Sequence, residues 1–205
     1  MKKNKSARWL PRTIGTERFE LINFDHAAIE KLVLDEMDTG FEVFYDNRWG
    51  LTSEFSHWLV ENQPLFRDRS ILNLGAGAGI ETLVLAKYAR KIYINDLSEL
   101  SLQLCAEQLE ENGLNNFESL PGDYTRIPVP LECDLAIACF SIYCPVTSAS
   151  VKSFLNRFRG EVIIVNEFLK PFREFLTEID RESEVLKEFQ SGVALRFPAI
   201  PLATV

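Results

Sequence analysis

Ile71-Leu72-Asn73-Leu74-Gly75-Ala76-Gly77-Ala78-Gly79-Ile80-Glu81-Thr82-Leu83 is the stretch that decides the fold. An apolar run of strand type enters a loop with glycine at every second position. A helix then leaves, with Leu83, Val84 and Ala86 among its inward candidates. Strand, tight glycine turn and helix N-terminus together form the unit that receives nucleotide-like ligands in α/β proteins. Gly75 permits the turn, Gly77 lets a ligand lie against bare backbone, and Gly79 opens the helix close to the sheet. The spacing is G-x-G-x-G, whereas dinucleotide enzymes usually show G-x-G-x-x-G around a pyrophosphate. Ile80 stands where that pattern wants its third glycine or alanine. No Tyr-x-x-x-Lys pair is evident either, so a nicotinamide-dependent oxidoreductase is disfavoured.

The next apolar run, Lys91-Ile92-Tyr93-Ile94-Asn95-Asp96, reads as a second strand ending on a carboxylate. Asp96 lies 17 residues beyond Gly79, about where an acid reaches the ribose hydroxyls of an adenosine. After it the pattern is regular. Ser98 caps a helix to about Asn112, with Leu102, Cys105, Ala106 and Leu109 on one face and Gly113 as the stop. Phe117–Leu120 is a short strand that leads into Pro121-Gly122-Asp123-Tyr124. Cys133–Cys139 is nearly continuous in apolar residues, as suits a parallel strand buried on both faces. A helix from Thr147 or Ser148 turns Val151, Phe154, Leu155 and Phe158 inward. Glu161–Asn166 is the fifth strand, and a helix from about Pro171 to Glu182 follows. Val185-Leu186 and the residues from Val193 on supply two last strands, which Pro198 and Pro201 keep short or at an edge.

These features resemble the class I, seven-strand S-adenosylmethionine (SAM) methyltransferases, whose first motif is typically acid-x-G-x-G-x-G and whose second strand ends in an acid. Gly75, Gly77, Gly79 and Asp96 match; Asn73 stands where the family usually carries Asp or Glu. The resemblance implies a Rossmann-like, doubly wound α/β fold: a mostly parallel seven-stranded sheet flanked by helices, with an N-terminal helical appendage. It implies SAM as cofactor, held by Asn73, the three glycines, Asp96 at the ribose, Asp123 at the adenine amino group and Tyr124 on the ring. A plain Gly-Asp turn is the rival reading of Asp123. At Asn73 the family's acid helps hold the methionine ammonium group; the amide accepts a hydrogen bond but adds no charge.

Upstream, residues 1–62 form an arm and helical appendage over the cleft, and 63–205 the SAM-binding domain. Residues 1–16 read as a loose basic arm with a frayed terminus, the alternatives being an arm folded back through Trp9 and Leu10 or one that touches an acidic partner. Asp25 is positioned to cap a helix from about Ala27 to Met37, with Ile29, Leu32, Val33 and Met37 along one face. Phe41–Tyr45 alternates like a short strand, and Thr52 is the candidate cap of a helix over 53–61 that buries Phe55, Trp58 and Leu59. Before it lies Tyr45-Asp46-Asn47-Arg48-Trp49-Gly50-Leu51. A Trp at a similar place recurs in the protein lysine methyltransferase branch of the family. Trp49 is therefore a candidate for lining the cleft beside Tyr45, with a core tryptophan as the alternative. The same branch usually reads D-x-x-Y after the fourth strand. Here Tyr143 falls on the tyrosine and Phe140 on the acid. Either the nucleophile needs no acid, or Glu167 or Asp46 becomes the candidate acid, with Tyr143 and Glu167 as the catalytic pair and Phe140 at the substrate; an ordinary cleft-wall aromatic is the rival reading of Tyr143.

The 205 residues, nearly half of them hydrophobic, suit one domain with a sizeable core. A net charge of −8 disfavours broad nucleic-acid binding. Cys105, Cys133, Cys139 and Cys144 form no C-x-x-C pair and have no nearby histidine, which reads as free thiols in a reducing compartment without zinc. No run is apolar for long enough to span a membrane, and the basic start lacks the apolar region of a signal peptide. A cytoplasmic methyltransferase acting on a protein side chain or a small molecule is the expectation. A non-catalytic SAM- or partner-binding module is the alternative, since Asn73 and Phe140 each replace an acid.

Overall fold

The computed structural model describes residues 6–38, 50–128 and 132–201. Its organising element is a seven-stranded sheet of β3 (Ser70–Leu74), β4 (Lys91–Asp96), β5 (Phe117–Pro121), β6 (Leu135–Cys139), β7 (Glu161–Asn166), β8 (Glu184–Glu188) and β9 (Val193–Phe197). The spatial order is β5-β4-β3-β6-β7-β9-β8. The first five are mutually parallel, while β9 runs antiparallel to both β7 and β8. β3 and β6 are buried along their whole length. Their continuous apolar runs follow from cover on both faces.

Alternation within the strands divides the core in two. Ile71, Ile137 and Ile163 face α2 (Gly50–Glu61), α3 (Ile80–Tyr88) and α4 (Glu99–Glu111). Leu72, Ala136 and Ile164 face α5 (Pro145–Arg157) and α6 (Lys170–Glu178), where Phe154, Phe172 and Phe175 are buried. Parallel strands joined through helices bring the loops after β3, β4, β5, β6 and β7 to one edge of the sheet. The order reverses between β3 and β6, because β4 and β5 extend one way and β6 and β7 the other. Such a switch point opens a crevice for ligands.

The chain's start corrects the expectation of a loose arm. β1 (Trp9–Ile14) and β2 (Glu17–Ile22) pair antiparallel in a hairpin that packs on α4. Period-two burial explains it: Phe19 and Leu21 of β2 are buried with Leu59 and Val60 of α2. The appendage is thus a hairpin joined to helices. In α1 (Ala27–Met37) Ile29 is buried, but Met37 is half exposed, and the N-cap is His26 rather than Asp25. Thr52 lies inside α2, which includes Gly50 and Leu51. α5 begins at Pro145, two residues before the expected Thr147, because proline suits a first helical turn. α6 ends four residues short of Glu182, at Glu178. The last two strands are short as expected, five residues each, with β8 at the edge and β9 inside it, ending at Phe197 just before Pro198. Ser98 caps α4 as expected, its Oγ accepting from the Ser101 amide at 2.9 Å.

Candidate active site

The glycine loop leaves β3 at the switch point, and its glycines all have positive φ: 68° at Gly75, 52° at Gly77 and 75° at Gly79. Two of them show different needs. A β-carbon at Gly79 would collide with the Cys105 sulfur, so glycine is what lets α3 and α4 close on each other. A β-carbon at Gly77 would meet none of the described residues within 4 Å, so the backbone there is left bare for a ligand's approach. The loop is held from both flanks. Asp96 Oδ2 accepts from the Gly77 amide at 2.9 Å, and the Asn95 carbonyl accepts from the Ala76 amide at 2.9 Å. Gln108 of α4, almost fully buried, donates from Nε2 to the Ala78 carbonyl at 2.6 Å; its Oε1 accepts from the Ile22 amide of β2 at 2.8 Å.

Asp96 ends β4 with its other oxygen accepting from the Ser98 amide at 2.9 Å. Burial raises its carboxyl above the usual range; amides of Ser98, Gly77 and Leu97 offset this in part, and Glu36 of α1 adds to it. Asn73 is fully buried at the other side of the loop. Its Nδ2 donates to Thr82 Oγ1 at 2.7 Å and to Glu81 Oε1 at 3.3 Å. With two acceptors facing that nitrogen, the amide orientation is set, and Oδ1 is left buried without a hydrogen-bond partner.

Asp123 follows β5 as expected, and both of its oxygens are engaged. Oδ1 accepts from the Thr125 amide at 2.7 Å and Oδ2 from the Ser150 hydroxyl at 3.2 Å. Burial pushes its carboxyl up, but the bonds from Thr125 and Ser150 outweigh this and hold it below the ordinary range. Tyr124 sits between elements: its hydroxyl lies 2.5 Å from where a β-carbon on Gly75 would be. Burial pushes this phenol well up, Asp96 adds to the effect, and a bond with the Ser141 hydroxyl opposes it.

On the other flank of the crevice, Phe140 directly follows β6 at φ 53°, in the left-handed region that a bulky side chain rarely adopts. Its ring is buried in the core facing α2 and α3. Tyr143 is 41% exposed three residues on, and its charged form would be felt by Tyr124. The loop is locked by Asn166, the fully buried last residue of β7. Asn166 Oδ1 accepts from the Ile142 amide at 3.1 Å, while Nδ2 donates at 3.0 Å to the carbonyls of both Ile142 and Glu167. Glu167 is the next residue, partly exposed beside this loop. Tyr45, Asp46 and Trp49 lie outside the described residues. Sequence reasoning missed Asn166, Ser141, Gln108 and Glu81. The signal for the first was a polar residue closing an apolar strand, and for the last an acid on a helix otherwise buried nearly all round.

A glycine loop at a switch point, flanked by an acid that ends the neighbouring parallel strand, defines the class I, SAM-dependent methyltransferase domain. Residues 71–160 match a family model described as a methyltransferase domain. A 130-residue stretch is 30% identical to human protein-lysine N-methyltransferase EEF2KMT, taking in 53% of this chain and 38% of that protein. The chain spans well under half the length of the curated relatives it matches. Among solved structures, an rRNA methylase from Streptococcus thermophilus superposes with a TM-score of 0.56 at 17% identity, over 76% of this chain and 99% of that one. A Streptococcus mutans structure in complex with S-adenosylhomocysteine (SAH) gives a TM-score of 0.52 at 18% identity, over 69% and 97%. These two share the fold.

The residues fit the cofactor of this class. Asn73 Oδ1 is a buried acceptor in want of a donor. Gly77 leaves room against the backbone, and the Asp96 carboxylate borders it. Among the described residues no lysine or arginine forms an ion pair with Asp96 or Glu81. No helix among them is long and apolar enough to cross a membrane.

Proposed function

We propose that the chain binds SAM across Gly75–Gly79 and directs its methyl group to a protein side chain, a lysine amine first, with a small amine as the nearest alternative acceptor. The observation that carries the acceptor class is the likeness to the human protein-lysine N-methyltransferase over more than half of the chain. An acidic protein, at net charge −8, also suits a basic acceptor segment.

SAM supplies a methyl group already activated on a sulfonium, so the protein's work is to orient, desolvate and deprotonate. In this reading Asp96 holds the ribose, Asp123 and Tyr124 flank the adenine, and Asn73 Oδ1 accepts from the ammonium. Tyr143 borders the acceptor's entry, half exposed beyond β6. Glu167, which directly follows β7, takes the proton that an amine must lose before attack. Tyr45 and Trp49, outside the described residues, stay candidates for contact with the acceptor. Phe140 acts from beneath: its buried ring fixes the turn that carries Tyr143.

The test is transfer of labelled methyl from SAM to proteins of a cell extract, followed by identification of the modified residue. Methyl-lysine formed by the wild type, and sharply reduced by Tyr143→Phe and by Glu167→Gln at unchanged SAH affinity, supports the reading. Label confined to small molecules would move the acceptor class. A second reading, a SAM-binding module without turnover, is favoured by one observation: the position of the branch's acid is a phenylalanine buried in the core. Tight SAH binding with no transfer to any acceptor would establish it.

A further inference from the structure

Glu81 is a carboxylate where none was expected. It sits in the first turn of α3, directly behind the glycine loop, and only 4% of its surface meets solvent. The groups around it come from several elements. Asn73 of β3 donates to it, and Thr82 of α3 shares that donor. Cys105 of α4 and Cys139 of β6 each feel its charge, as it feels that of Asp96 at the end of β4. Asp96 in turn feels Glu36 of α1. Every charged group in this set is an acid, and neither Glu81 nor Asp96 forms an ion pair with a lysine or arginine among the described residues. Buried carboxylates that repel one another are costly to a fold unless a cation arrives.

Asn73 supplies a second, independent sign. It is fully buried, and while Thr82 and Glu81 occupy its Nδ2, its Oδ1 points away with no hydrogen-bond partner. An acid and an amide are therefore coupled through one hydrogen bond, with an acceptor atom left for something that donates. The complement of this arrangement is an ammonium group: positive, and a donor.

We propose that Glu81 supplies the negative charge for the ammonium of the cofactor's amino-acid end, acting through and beside Asn73, so that the acid missing from the strand has been relocated to the helix. The inference rests on the SAM-binding reading above and deepens it. It makes Glu81 a positioning residue: it fixes the Asn73 amide with the oxygen toward the ligand and adds the charge that the amide lacks. Desolvation holds the carboxyl near pKa 7 before any cation is present, with Asp96 adding to the rise and the bond from Asn73 opposing it. An ammonium beside it favours the ionised form, so binding releases a proton from Glu81 over the neutral range.

The experiment is calorimetric titration with SAH, which carries the ammonium but no sulfonium, from pH 6 to pH 8.5 in buffers of different ionisation enthalpy. Wild type is expected to gain roughly tenfold in affinity from pH 6 to pH 8, with proton release that fades above neutrality. Glu81→Gln is expected to lose roughly tenfold or more at pH 8 and to flatten the profile. The same variant should melt higher than wild type at pH 8 without ligand, because a repelled charge is gone; a purely structural role predicts lower. SAH lacking its amino group should bind both proteins equally. A flat wild-type profile without proton release, equal SAH affinity in the variant, or a variant defect that persists with the deaminated ligand would each overturn the inference while leaving cofactor binding intact. Failure of the wild type to bind SAH or SAM at any pH would overturn both readings.

Discussion

The two halves of the cleft are built from different materials. On the cofactor side, the loop between β3 and α3 is held by polar groups that converge from distant parts of the chain: Asp96 on Gly77, Gln108 on Ala78, Tyr124 over Gly75. On the flank proposed to receive the acceptor, Asn166 fastens the turn after β6 together with the Ser141 hydroxyl on the Leu74 carbonyl and the Phe140 amide on the Val165 carbonyl, and the side chains beyond it, Tyr143, Val146 and Phe168, are apolar or aromatic and largely exposed. The first half is held by side chains from several elements. The second is fastened to β3 and β7 beneath and presents exposed side chains above. In the proposed function the cofactor is thus met by a loop locked in backbone, and acceptor specificity is left to side chains that cost little to change.

The sharpest way to break the contrast is Gly79→Ala. A β-carbon in left-handed backbone and a clash with the Cys105 sulfur should together cost about 3–5 kcal/mol, read as a lowered denaturant midpoint. Asn166→Ala removes three hydrogen bonds and strands the Ile142 amide and carbonyl, so about 3 kcal/mol of stability should go. Turnover should collapse while SAH affinity holds, which is what separate construction of the halves requires. A pH series comes next. Glu81 is raised from 4.5 to about 7 in the folded state, so between these values the unfolded chain has lost a proton that the native one keeps. Stability without ligand should therefore fall as pH rises from about 4.5 to 7, by about 3 kcal/mol at most, and Glu81→Gln should remove that slope. Asp96→Ala should weaken SAH binding by roughly 1.5–3 kcal/mol, the loss of a hydrogen bond to a charged group. Tyr143→Phe should be the gentlest: stability within about 0.5 kcal/mol at a half-exposed site and unchanged SAH affinity, with the effect confined to turnover.

The same contrast explains what could be read in the sequence. The order of parallel strands follows from apolar runs separated by amphipathic helices, and Gly75–Gly79 with Asp96 marks the switch point, because backbone conformation leaves its trace in glycine. Asn166 and Gln108 left no such trace. Their roles depend on which carbonyl or amide comes within 3 Å of a side-chain amide, across 24 residues of chain for Asn166 and Ile142 and 86 for Gln108 and Ile22. The hairpin was missed for a related reason. Lys2, Lys3 and Lys5 with Arg8 and Arg12 make residues 1–16 look like a solvated tail, but Ile14 is buried, and so are Phe19, Leu21 and Ile22 of the strand that pairs with it. Phe140 could be placed on the motif from sequence, yet nothing in a phenylalanine announces a positive φ.

The Gln108 bridge makes the first two dozen residues more than a leading segment. One side chain, with its oxygen on the Ile22 amide and its nitrogen on the Ala78 carbonyl, makes release of the hairpin and loosening of the loop a single event. Isotope exchange at the Ile22 amide becomes a remote gauge of ligand occupancy, slowing when the loop is braced from the other side. Trimming the chain past Ile22 would cut the Gln108 bridge and uncover the Leu59 and Val60 that Phe19 and Leu21 cover, so a weak binder produced that way would say nothing about the intact protein.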